Sequence, residues 1–183
     1  FMEVNGMLFF TASTGLYYSE DGKTWTKTTI ISNIVRDICY GNGLWIAATT
    51  SGMYYSEDGK IWKLGNSASS FASVGFNGSN IFVAGGSANN GIWYSTDGKT
   101  WTKSSTDLKN YDYWNSLKFG HGVLIARSSK SIVYSVDGKT WTESDMDLDM
   151  VDFGNGLWIG CTSNASPMFL KVYISTDGIN WKL

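Results

Sequence analysis

The chain has 183 residues, enough for one domain with a sizeable core, and its 43% hydrophobic content with nine Trp, ten Tyr and nine Phe excludes a disordered or collagen-like chain. A net charge of −2, with Lys and Asp scattered along the sequence, argues against nucleic acid and against an anionic membrane surface as partners, since both need a basic face. No apolar run reaches the ~18 residues that a membrane-spanning helix needs, so no membrane insertion is expected.

Taken in chain order, the sequence repeats itself five times. The segment Tyr17-Tyr18-Ser19-Glu20-Asp21-Gly22-Lys23-Thr24-Trp25 returns around Ser56, Asp58 and Trp62, then around Ser95, Asp97 and Trp101. Two more copies centre on Ser135, Asp137 and Trp141, and on Ser175, Asp177 and Trp181. The Asp-to-Asp steps are 37, 39, 40 and 40 residues, a period that belongs to repeat architectures such as propeller blades. Upstream of each copy stands a second signal: Asn5-Gly6, Asn42-Gly43, Asn77-Gly78, His121-Gly122 and Asn155-Gly156. Asn-Gly between two apolar runs predicts a tight hairpin, whose central residues need positive φ. His tolerates that conformation, so the lone His121 reads as a turn residue rather than as a catalytic or metal-binding group.

Each repeat therefore parses into four short strands. The first has strands at Phe1–Val4, Met7–Thr11, Leu16–Ser19 and Thr24–Lys27. The second has Val35–Tyr40, Leu44–Thr49, Met53–Ser56 and Ile61–Leu64. The third has Phe71–Phe76, Ile81–Ala84, Ile92–Ser95 and Thr100–Lys103. The fourth has Asn115–Phe119, Val123–Ala126, Ile132–Ser135 and Thr140–Glu143. The fifth has Met150–Phe153, Leu157–Cys161, Val172–Ser175 and Asn180–Leu183. The second and third strands of each repeat carry consecutive apolar residues, as in Leu44-Trp45-Ile46-Ala47 and Tyr54-Tyr55, which marks strands covered on both faces. Antiparallel hairpins covered on both faces and repeated at a fixed period predict an all-β, five-bladed β-propeller with four antiparallel strands per blade. The expected blades are about 1–30, 31–66, 67–106, 107–146 and 147–183. With the first strand of blade 1 and the last of blade 5 both present, the ring is expected to close by side-chain packing, without a mixed sheet. Cys39 and Cys161 lie within predicted strands and read as two buried free thiols.

The repeated Ser-x-Asp-Gly-x-x-Trp has a structural logic. Asp and Ser side chains accept hydrogen bonds from backbone N–H groups a few residues on, Gly supplies positive φ, and the indole returns to bury apolar surface. One carboxylate per repeat falls short of the six or more oxygens that calcium takes, so no metal is expected. The segment resembles the Asp-box, or bacterial neuraminidase repeat, of sialidases and other propellers, over all five repeats. In that family a residue usually separates Asp from Gly. Here Gly22, Gly59, Gly98, Gly138 and Gly178 follow Asp directly, so the turn is shorter, similar to repeats in bacterial and phage proteins. The resemblance implies the propeller fold and, for a sialidase, three arginines gripping the substrate carboxylate. Only Arg36 and Arg127 are present, and Lys is a poor substitute for the guanidinium fork. The family's catalytic residues have no counterparts here, and no catalysis and no cofactor are expected.

Four-strand blades put the Asn-Gly and Asp-Gly turns on one rim, with the more variable second-to-third-strand loops and blade crossovers on the other. Function usually lives in such variable loops. The candidate ligand-binding residues there are Asn89, Asn90, Tyr111, Asp112, Tyr113 and Trp114. Flat aromatics beside amides and carboxylates suit sugar rings, so carbohydrate recognition is the leading reading. Tyr113 and Trp114 equally suit a plug between blades three and four. A protein-interaction scaffold comes second, and a glycoside hydrolase using the cluster Asp145, Asp147, Asp149 and Asp152 third.

Overall fold

The computed structural model describes residues 1–29, 34–68, 70–87, 91–106, 108, 113–129, 131–165 and 168–183; for 163–165 and 168–169 the backbone alone is described. The chain is all-β, a five-bladed β-propeller. Blade 1 holds β1 (Met2–Val4), β2 (Met7–Ala12), β3 (Gly15–Ser19) and β4 (Thr26–Lys27). Blade 2 holds β5 (Val35–Gly41), β6 (Leu44–Thr49), β7 (Gly52–Ser56) and β8 (Lys63–Asn66). Blade 3 holds β9 (Phe71–Phe76), β10 (Phe82–Gly86), β11 (Ile92–Ser95) and β12 (Thr102–Lys103). Blade 4 holds β13 (Ser116–Gly120), β14 (Val123–Arg127), β15 (Ile132–Ser135) and β16 (Thr142–Glu143). Blade 5 holds β17 (Met150–Gly154), β18 (Leu157–Ala165) and β19 (Met168–Ser175). Within every sheet, strands adjacent in sequence pair antiparallel.

Asn5, Asn42, His121 and Asn155 all adopt φ between 46° and 51°, and each is followed by a positive-φ Gly, so four hairpins close on tight two-residue turns. The third departs from that pattern. Asn77 is absent from the positive-φ set, and its side-chain Oδ1 accepts hydrogen bonds from the backbone N–H of Ser79, Asn80 and Ile81. Two extra residues, Ser79 and Asn80, make a longer loop that the Asn77 carboxamide organises from within.

The Ser-x-Asp-Gly turns are alike in all five blades. In blade 3, the Ser95 hydroxyl donates to Asp97 Oδ1 at 2.9 Å and accepts from the Gly98 N–H at 2.8 Å. Asp97 Oδ1 then accepts from the N–H groups of Lys99 and Thr100 at 2.8 and 2.7 Å. The Ser19, Ser56, Ser135 and Ser175 turns repeat this network. Because the fourth residue is bound to the Asp, pairing resumes later than the sequence pattern predicts. The last strands of blades 1, 3 and 4 shrink to two residues each, and in blade 5 the strand expected at Asn180–Leu183 is a single bridge between Ile174 and Lys182. Ser95 is almost fully buried and is both donor and acceptor in its turn. Ser95→Ala leaves the buried Gly98 N–H without its partner and is expected to cost about 1–3 kcal/mol, read as a lower urea midpoint with unchanged slope.

The core lies between blades. The motif indoles of blades 2 to 5 pack on the sheet before their own: Trp62 joins Phe9 and Leu16 of blade 1, and Trp141 joins Ile81 and Val83 of blade 3. Trp101 and Trp181 pack likewise against the second and fourth clusters. The motif Lys follows the same rule, with Lys60 over the Tyr18 ring, Lys99 over Tyr55 and Lys139 over Tyr94, at 5.3–5.7 Å. Lys60 also pairs with Glu20 at 2.7 Å. Thus the repeated motif is at once a turn and the joint to the preceding blade. The four joints run from blade 1 to blade 5. Among the described residues no mixed sheet forms, as expected. The expected closing contact is a different matter: among the described residues no buried cluster joins blade 5 to blade 1, because the forward face of blade 5 stands in solvent. Cys39 and Cys161 are free thiols in strand interiors, partly buried.

Candidate binding surface

The loop rim over blades 2 to 4 is bound into one unit by backbone hydrogen bonds. Thr50 donates to Ile34, Ser70 to Thr50, Ser87 to Ser70, and Trp114 to Gly86, each N–H to O distance between 3.0 and 3.2 Å. Ser70 takes φ 65°, unusual for a residue with a Cβ, and two neighbours hold it there. Tyr113 bridges antiparallel to Ser87, so the end of the crossover into blade 4 is held against the residue that follows β10.

On this base two side chains from distant repeats meet. A bulge between Val35 and Asp37 leaves Arg36 out of the β5–β6 ladder and exposed. Its guanidinium lies 5.2 Å from the centroid of the Tyr113 ring. The Ser70 hydroxyl, and after it the Arg36 guanidinium, hold the Tyr113 phenol below its usual pKa by stabilising the phenolate. The result is an exposed cation resting on a half-buried ring, with hydroxyls at its edge.

The other candidate residues fall differently. Asn89, Asn90, Tyr111 and Asp112 lie outside the described residues. Trp114 is 1% exposed and sits among Ile81, Ile92, Leu124 and Val133, between blades 3 and 4. Its carbonyl accepts the Ser73 hydroxyl at 2.8 Å, and Gly85 is pressed so close that a Cβ there would meet the Trp114 carbonyl oxygen. The acidic cluster divides. Asp145, Asp147 and Asp149 are exposed beside Lys171 and Tyr173, whereas Asp152 turns to Lys118, 3.0 Å away. Lys118, Asp152, Arg127, Met150, Ile159 and Val172 line an open cleft of about 660 Å³ on the forward side of blade 5.

His121 adds a joint to its turn. Its Nδ1–H donates to the Thr176 carbonyl at 3.0 Å and its ring meets Phe153 edge-on, tying blade 4 to blade 5. Asp37 does the same for blades 2 and 3: Oδ2 accepts from the Val74 N–H at 2.9 Å and Oδ1 from Ile38. Burial pushes its carboxyl up to about 6 despite those bonds and the charge of Lys118. No group of three or more His, Cys, Asp or Glu poised for a metal ion occurs among the described residues.

Neither a protein-family model nor a curated protein matches the sequence. Solved structures do. The extracellular domain of the putative one component system BT4673 from B. thetaiotaomicron aligns over 96% of this chain and 28% of its own, with a TM-score of 0.72 at 11% identity. YCF48 bound to D1 peptide aligns over 96% of this chain and 63% of its own, at TM-score 0.66 and 16% identity. The Neurospora crassa Pan2 WD40 domain aligns over 98% and 62%, at 0.62 and 11%. These are β-propellers, and at such identities the likeness shows the propeller fold. The chain spans less than two thirds of the length of each of these proteins.

Proposed function

We propose that this propeller is a non-catalytic binding domain whose loop rim recognises a protein segment, with Arg36 and Tyr113 as the anchor. The observation that carries the reading is the exposed Arg36 guanidinium over the Tyr113 ring, on a rim whose backbone is hydrogen-bonded from blade 2 to blade 4. Arg and Tyr are the side chains enriched at interface hot spots, and a rigid base lowers the ordering cost of binding. An exposed guanidinium held over a ring offers N–H groups to a carboxylate of the incoming segment. A solved neighbour, YCF48, is described as bound to a peptide, which supports a peptide ligand for this fold. Sugar stacking would need exposed flat rings; with Trp114 in the core, Tyr113 is the ring on the described part of this crossover that a sugar could reach.

The test sets a peptide array against a glycan array. Peptide hits that weaken ~30-fold with Arg36→Ala and with Tyr113→Phe, while thermal stability stays unchanged, support the proposal. Glycan hits with a silent peptide array overturn it in favour of a lectin-like module, and turnover of a chromogenic glycoside, lost in Asp149→Asn, overturns it in favour of a hydrolase.

A further inference from the structure

Every joint in this propeller has a forward face, offered by the second and third strands of one blade, and a rear face offered by the next. The forward positions Phe9, Ile46, Val83 and Ile125 are at most 2% exposed in blades 1 to 4, and their counterpart in blade 5, Ile159, is 50% exposed. Leu16, Met53, Ile92 and Ile132 are likewise sealed, whereas Val172 is 47% exposed. Blade 5 thus keeps the apolar side chains of a joint without a blade upon them. Blade 1 shows the reverse. In blades 2, 3 and 4 the motif Gly is pressed on the strands of the blade before, Gly59 on Met7 and Phe9 for example, whereas Gly22 meets only Leu8 and Gly178 only Trp158, each of its own sheet. Trp25 packs within its own blade, on Phe10 and Phe1.

These two faces differ from the internal joints in opposite ways. In the first three joints a forward ring (Tyr18, Tyr55, Tyr94) shares its cluster with a small rear residue (Ala47, Ala84, Ala126). On the forward face of blade 5 the Tyr position is Ile174; on the rear face of blade 1 the Ala position is Phe10. The ring has moved to the other side of the joint, so the combined volume is kept, as close packing requires. The Glu that meets the motif Lys in the first joint is replaced in blade 5 by Thr176.

We infer that the forward face of blade 5 docks the rear face of blade 1 from a second copy of this chain, Phe10 and Trp25 of one copy covering Ile159, Val172 and Ile174 of the other. The contact is head-to-tail and continues the joint already repeated four times within the chain. Such heterologous contacts build rings or open arrays according to whether the rotation closes.

Sedimentation velocity on the 183-residue chain over a concentration series tests this. The wild type is expected to self-associate. Ile159→Arg, on the forward face, and Phe10→Arg, on the rear face, should each lower the association constant ~30-fold or more. An equimolar mixture of the two variants should give a dimer and nothing larger, because each retains the one intact face that the other lacks. Circular dichroism checks that each variant is folded; Val172→Arg and Tyr17→Arg replace any that is not. A wild type that stays monomeric throughout overturns the inference, as does association that survives both substitutions or a mixture that fails to recover the dimer. A monomer whose forward face instead captures a foreign peptide, lost in Ile159→Arg, also overturns it. None of these results touches the Arg36–Tyr113 rim, so the two proposals stand or fall separately.

Discussion

Replacing Trp114 with Ala is expected to lower the unfolding free energy by about 3–5 kcal/mol, the cost of truncating a fully buried indole whose neighbours cannot collapse into the space. Collapse is blocked on two sides. The Trp114 backbone is fixed by hydrogen bonds to Gly86 and from Ser73, and the surrounding chains come from different strands of two sheets. Against a usual total of about 5–15 kcal/mol, that loss brings a domain of this size close to unfolding at room temperature. Tyr113→Ala, one residue away but half-buried at the rim, should stay within about 1 kcal/mol. Urea titrations of the two variants, with equal slopes, separate the roles. Similar midpoints for both would mean that the indole is not a keystone of the third joint.

The contrast between these adjacent residues shows what the sequence made legible. The repeat, its tight turns and the doubly covered strands could be read directly, because they depend on contacts within some ten residues. The Ser95 turn is such a case: hydroxyl, carboxylate and glycine lie side by side in the chain, and their hydrogen bonds follow from their spacing. That the motif Trp serves the preceding blade was not legible, since the indole's partner is a repeat away. Trp114 and Tyr113 share one aromatic crossover, and only the bridge from Tyr113 to Ser87 decides which ring turns inward. In the sequence Arg36 counts only as one of two arginines, too few for a sialidase. Its pairing with Tyr113 spans two repeats and depends on a bulge in β5, for which Val35-Arg36-Asp37 carries no Gly or Pro to give warning.

The pH dependence of stability is the other large effect, and two groups of carboxylates drive it in opposite directions. Asp97 and Asp137 are held at about 2; desolvation alone would raise them, but their backbone and side-chain hydrogen bonds outweigh it. The unfolded chain takes up those protons first, so their contribution is present above about pH 4 and is lost as pH falls through about 2. Exposure and screening keep each contribution small. Asp37 works the other way. Its native carboxyl titrates at about 6 and its unfolded one near 3.8, so between those values the native chain holds a proton that the unfolded chain has released. Stability therefore declines as pH rises through that window, by on the order of 3 kcal/mol in all. Maximum stability is expected near about pH 4, below the usual range. Asp37→Asn removes the titration. Its amide keeps one of the two backbone hydrogen bonds, so the variant should be about 1 kcal/mol weaker than wild type near pH 4. Near pH 8 it should equal or exceed wild type, with a flat profile between. Urea unfolding across that range reads the difference directly. A wild-type profile that rises from pH 4 to 8, or an Asn variant with an undiminished slope, would show that Asp37 is ionised in the native sheet and that its bonds to Val74 and Ile38 outweigh its burial.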